Sequence, residues 1–129
     1  IGDLSSWNTS SVANMSYMFY YAGNSATTWS IGDLSSWNTS NVTNMSSMFS
    51  DAGYSATTFT LNLSSWNTSK VTNMSNMFSG AGSSATTWSV IIPQTNGNSI
   101  NNTTSRLYGQ TTSTYAAPQS GKSFTIAQP

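Results

Sequence analysis

Residues 34–58 read LSSWNTSNVTNMSSMFSDAGYSATT, and nearly the same phrase occupies residues 4–28 and 63–87. Trp7, Trp37 and Trp66 mark its beat, in steps of 30 and 29 residues. A period of about 20 to 50 residues marks stacked units, none of which can bury its apolar face alone.

Within the middle copy Met45, Met48, Phe49 and Ala52 stand at i, i+3, i+4 and i+7, the spacing of one helical face. Met15, Met18, Phe19 and Ala22 repeat it, as do Met74, Met77, Phe78 and Ala81. Asn14, Asn44 and Asn73 precede the pattern, where an N-cap belongs. Gly23, Gly53 and Gly82 follow it, where a left-handed residue commonly closes a helix. The spacing predicts one helix of about two turns per coil, which only packing against neighbours would hold.

Residues 27–31 alternate Trp29 and Ile31 with hydroxyls, the period-two signature of a half-buried strand. Copies lie at 57–61 and 86–90, and further extended stretches surround Val12, Val42 and Val71. Equivalent strands in successive coils would pair in parallel about 4.8 Å apart. The expected fold is therefore a repeat solenoid of mixed α/β class, with parallel short strands and one short helix per coil of about 30 residues.

Three coils, at 1–30, 31–60 and 61–89, fill residues 1–90. From Ile91 the repeat stops, and residues 91–129 read as a C-terminal β cap with one closing strand around Phe124 and Ile126. Ile1-Gly2-Asp3 matches Ile31-Gly32-Asp33, so the chain opens on a repeat boundary and reads as a segment of a longer protein.

Composition narrows the function. Only 5% of the 129 residues are charged and the net charge is zero. Without a basic patch, nucleic-acid binding is not expected. No apolar run approaches the roughly 20 residues of a membrane span. Close to half of the chain is Ser, Thr and Asn, and the regular Trp, Met and Phe positions argue against disorder. His, Cys and Glu are absent, which removes the usual general base, thiol chemistry and the commonest metal ligands. No catalytic residue, cofactor or metal is assigned. A Ser nucleophile would need a Lys or Asp base, and no spacing marks such a pair.

The remaining features have structural readings beside functional ones. Trp7, Trp37 and Trp66 form a column that reads as inter-coil core, since aromatic rings carry large burial energy. The Met and Phe columns at 15, 45, 74; 18, 48, 77; and 19, 49, 78 read as core filler. Asn14, Asn44 and Asn73 read as a buried file of amides bonding from coil to coil. Asp3 and Asp33, replaced by Asn62 in the third coil, read as turn residues, because calcium requires about six oxygens or more. Asn-Thr-Ser at Asn8, Asn38 and Asn67, the Asn-Met-Ser triplets and Asn101-Asn102-Thr103-Thr104 match the N-glycosylation pattern, which arises easily in this composition. Lys70, Arg106 and Lys122 share no evident role.

Partner-binding candidates are the second aromatic row, Trp29, Phe59 and Trp88, together with Tyr17, Tyr20, Tyr21 and Tyr54. Tyr17, Ser47 and Asn76 vary from copy to copy where the scaffold does not, as do Tyr20, Ser50 and Ser79.

The run WNTSxVTNMSxMF, at residues 37–49 and 66–78, resembles the BspA-like repeat of bacterial and mycoplasma surface lipoproteins. That family often has Asp where this chain has Asn8, Asn38 and Asn67, and its unit lacks the AGxSATT loop. The resemblance covers residues 1–90 and implies a leucine-rich-repeat-like extracellular protein at the cell surface, associated with adhesion. It brings no catalytic motif. Expected partners are a protein or glycan at the cell surface, or copies of the chain itself stacked end to end. The competing functions are a non-catalytic adhesion or interaction module, a structural subunit of a filament, pilus-like fibre or surface layer, and glycan binding along an aromatic row.

Overall fold

A computed structural model of the chain describes residues 1–93 and 122–126. The readings at Asn101 to Thr104 and at Arg106 lie outside them. Three coils stack in the order of the chain, and Asn14, Asn44 and Asn73 pair as parallel bridges from one coil to the next.

The strands are fewer than the repeat predicts. β1 (Thr58–Asn62) and β2 (Thr87–Ile92) pair in parallel, Phe59 opposite Trp88 and Leu61 opposite Val90. β3 (Thr125–Ile126) pairs in parallel with the other edge of β2, giving the order β1-β2-β3. The copy at 27–31 forms no strand. It meets the second coil where the Thr57 N–H donates to the Thr27 carbonyl at 3.2 Å, and the Ile1 amine takes the Ser30 carbonyl at 3.1 Å.

The expected helices are absent from the described residues, so the mixed α/β class is replaced by stacked turns and short parallel strands. The N–H groups of Met18, Tyr20, Ala22 and Asn24 each donate to the carbonyl three residues back, whereas an α-helix would use the fourth. Tyr17 and Tyr21 have φ of 60° and 57° at the third position of two of these turns, as a type II turn requires. Ser47 and Asp51 repeat this in the second coil, Asn76 and Gly80 in the third.

The physical reason lies in the alternate N–H groups. Met15, Tyr17, Phe19 and Tyr21 donate to the carbonyls of Asn44, Ser46, Met48 and Ser50 in the next coil, at 2.8–3.0 Å. Met45, Ser47, Phe49 and Asp51 do the same to Asn73, Ser75, Met77 and Ser79, at 2.7–2.9 Å. A helix satisfies its own backbone and leaves nothing for its neighbour. A chain of turns leaves every second N–H pointing along the stack, where the next coil receives it. Ser, Asn and Gly are weak helix formers that favour turns, which tilts the balance the same way.

The apolar columns fill the interior. Phe19, Phe49 and Phe78 stack at 5.3 and 5.4 Å, and Trp7, Trp37 and Trp66 at 6.1 and 6.2 Å. Val42, Met45, Met48, Phe49 and Phe59 are fully buried in the second coil, as are Met74, Met77 and Phe78 in the third. Gly82 shows how closely the coils approach. A Cβ built there would lie 2.5 Å from Phe59 Cβ, and its φ of +58° suits glycine. At the lower end Phe124 is buried against Phe78 at 5.1 Å and Trp88 at 5.9 Å. The first coil is the more exposed: Trp7 is 50% exposed where Trp37 and Trp66 are 3% and 2%, and Met18 is 36% exposed where its copies are sealed.

Candidate functional site

Polar side chains in each coil are mostly spent on local turns. Asp3, Asn8 and Asn14 each accept the N–H of the Ser two residues on, at 2.9, 3.1 and 2.8 Å. Asp33, Asn38 and Asn44 repeat this, as do Asn62, Asn67 and Asn73. These are Asx turns, in which the side chain replaces a backbone acceptor. The Asx-x-Ser spacing that resembles a glycosylation acceptor is thus used to bend the backbone.

The expected buried amide file is overturned. Asn14 and Asn73 are exposed and Asn44 half-buried, and their side-chain oxygens bond within their own coils. The buried polar file is instead Thr9, Thr39 and Thr68. The Thr9 hydroxyl donates to the Asn38 carbonyl at 3.1 Å, and the Thr39 hydroxyl to that of Asn67 at 3.0 Å. A short hydroxylated side chain every coil was the available signal.

Asp3 and Asp33 flank a shallow concavity with Ile1, Ser5 and Ser30. Hydrogen bonds from Ser5, its side chain foremost, hold the Asp3 carboxyl below its ordinary value. The Ser35 N–H, then its hydroxyl, does so for Asp33. Among the described residues no three His, Cys, Asp or Glu side chains gather to hold a metal.

The second aromatic row does not face outward. Trp29 and Phe59 are buried and Trp88 is half-buried. Their rings stack at 4.6 and 6.0 Å, and the indole N–H groups of Trp29 and Trp88 donate to the carbonyls of Ala22 and Ala81.

The tyrosines do gather. Tyr17, Tyr20 and Tyr21 are all exposed, Tyr17 by 58%. Tyr17 and Tyr20 meet edge to face at 5.4 Å and 82°, Tyr20 and Tyr21 at 4.5 Å and 75°. Backbone pairing sets Tyr17 over Ser47, Tyr20 over Ser50 and Tyr21 over Asp51. One coil further, the Asp51 carboxylate leans over Gly80, where a side chain would collide with it. The Tyr20 phenol is raised above its ordinary value, first by partial desolvation, then by Tyr21, by the Asp51 charge and by Tyr17. Tyr54 is exposed in the second coil but makes no ring contact with this trio.

Two of these rings sit on costly backbone. A bulky residue with positive φ is a true outlier, and Tyr17 and Tyr21 hold positions filled elsewhere by Ser, Asn, Asp and Gly. The tyrosine rim is the surface feature the repeat alone does not require.

The model of a family described as "Mycoplasma protein of unknown function, DUF285" matches residues 1–112. The chain belongs to the DUF285 family. The match spans all three coils of this DUF285 chain. No curated protein and no solved structure matches it. No helix among the described residues is long and apolar enough to cross a membrane.

Proposed function

We propose that this DUF285 chain is a non-catalytic repeat module of a bacterial cell surface, serving adhesion or protein interaction. The observation that carries the reading is the tyrosine rim, three exposed rings held partly on left-handed backbone where the other coils carry small residues. Strained positions concentrate at functional sites, and tyrosine supplies contact area with little rotamer entropy to lose. The mycoplasma family and the resemblance to BspA-like surface repeats support the surface placement. The absence of His, Cys and Glu from the sequence supports the non-catalytic half.

Labelled chain applied to intact host cells and to extracellular-matrix preparations tests it. Saturable binding that falls away in a variant carrying Tyr17→Asn, Tyr20→Ser and Tyr21→Gly is the expected result. Those replacements are the residues found at the same positions in the third coil. No saturable binding to any of these preparations contradicts the proposal.

A second reading is a subunit of a filament or surface layer, motivated by the stacking of like coils. The low charge offers such stacking little repulsion. Sedimentation at rising concentration separates the readings: a chain that stays monomeric rules the fibre out. Glycan binding along Trp29, Phe59 and Trp88 loses its support, since that row is turned inward.

A further inference from the structure

We propose that the tyrosine rim and Asp51 together form a site for an arginine side chain of a partner protein. The inference rests on the interaction-module reading and names the chemistry that such a partner must present.

Charge comes first. Three phenol rings present electron-rich faces, and among the described residues the carboxylate whose charge acts on Tyr20 is that of Asp51, set one coil below Tyr21. Its carboxylate is half-buried over Gly80 and its field reaches Tyr20. The described cationic groups are engaged elsewhere. Lys70 donates to Asn41 at 3.2 Å, Lys122 to the Ala85 carbonyl at 2.9 Å, and the N-terminal amine to Ser30. The patch is therefore electronegative with no described cation of the chain set against it. Nucleic acid and other polyanions are disfavoured by the same field.

Geometry then selects among cations. Tyr20 is nearly perpendicular to both neighbours, so the rim offers ring faces in two orientations. A cation over such a face is attracted by the ring quadrupole. A metal ion would need more oxygens than one carboxylate provides. A guanidinium is planar, stacks on an aromatic face and directs N–H donors in its own plane, which lets one group use Tyr20 or Tyr21 and Asp51 together. An ammonium is compact and strongly hydrated and has no flat face to stack on a ring.

The copy-to-copy contrast agrees. At the equivalent positions the third coil has Asn76, Ser79 and Gly80, which retain the fold without rings or acid. Rings and carboxylate occur together only where the first coil overlies the second.

Acetyl-Gly-Arg-Gly-amide titrated into the full chain, with tyrosine ring protons followed by NMR, tests the site. The same peptide with citrulline in place of arginine serves as the neutral isostere. Expected are saturable shifts of the Tyr20 and Tyr21 rings at roughly millimolar peptide, about fivefold weaker in Asp51→Asn and lost in the Tyr17→Asn, Tyr20→Ser, Tyr21→Gly variant. Equal shifts with citrulline, no saturable shift, or unchanged binding by either variant would overturn the proposal. A chain that binds cells but not the arginine peptide overturns this inference alone. One that binds the peptide and no cell or matrix preparation overturns the module reading alone.

Discussion

The indole N–H of Trp37 donates to the carbonyl of Leu4, one coil earlier, at 2.9 Å, and Trp66 repeats the bond to Leu34 at 3.2 Å. Each buried ring thus stacks on its neighbour and clips the preceding coil's turn. Trp37→Phe keeps an aromatic ring but removes the bond between coils, leaving the Leu4 carbonyl only the Trp7 N–H at 3.1 Å. We expect a loss of about 1 kcal/mol, read from the urea midpoint at unchanged slope. Trp7→Phe, at a half-exposed ring, should change stability by less than about 0.5 kcal/mol. Equal effects at the two sites would refute the clip.

Glycine replacement should sort by position. Gly82→Ala forces a Cβ against Phe59 on left-handed backbone, and about 2–4 kcal/mol should be lost from strain and overpacking together. Gly2 has nothing within 4 Å and no positive φ, so Gly2→Ala should be nearly neutral. Thermal melts of the two variants distinguish them directly.

Tyr17→Asn should stabilise the chain. Relief of a left-handed bulky residue gains about 1–2 kcal/mol, and the lost edge-to-face contact at an exposed ring returns about 0.5 kcal/mol of that. A net gain near 1 kcal/mol in chemical denaturation is expected. A clear loss would show that the ring is there for the fold.

Stability should be flat across neutral pH, because the chain has no His or Cys to titrate there. Asp3 and Asp33 have lowered folded values, so their contribution is present above the unfolded carboxylate value, about 4, and is lost as pH falls through the folded values beneath it. Tyr20 is raised, so its contribution is present below the unfolded phenol value, about 10, and fades as pH rises through the folded value. Denaturation midpoints between pH 5 and 9 should coincide within about 0.5 kcal/mol. A slope in that window would require a titrating group these residues do not provide.

The repeat, its apolar columns and the parallel stacking were legible in the sequence. The local conformation was not, and Met45, Met48, Phe49 and Ala52 show why. Over eight residues, a helix of period 3.6 and a run of turns whose left-handed residues recur every four place the same side chains inward. The discriminating signal was in the third coil, where Asn76 and Gly80, four apart, and Gly82, two further on, occupy left-handed positions. In the first coil Tyr17 and Tyr21 conceal it. The strands expected at 57–61 and 86–90 each start one residue later and end one and two residues further on, at 58–62 and 87–92. The copy at 27–31 forms no strand, although its Trp29 ring stacks on Phe59 of β1 at 4.6 Å. The tyrosine rim was visible as residues that vary among copies, but its union with Asp51 depends on coil register, which no single copy reveals.

The claim on which all of this stands is that the methionine and phenylalanine run is a stack of turns hydrogen-bonded between coils. Scalar coupling across the hydrogen bond of the Phe49 amide tests it most directly. The structure places its acceptor at the Met77 carbonyl, 2.8 Å away in the next coil, so a coupling from Phe49 nitrogen to Met77 carbonyl carbon is predicted. A coupling to Met45, the helical partner four residues back, would contradict it.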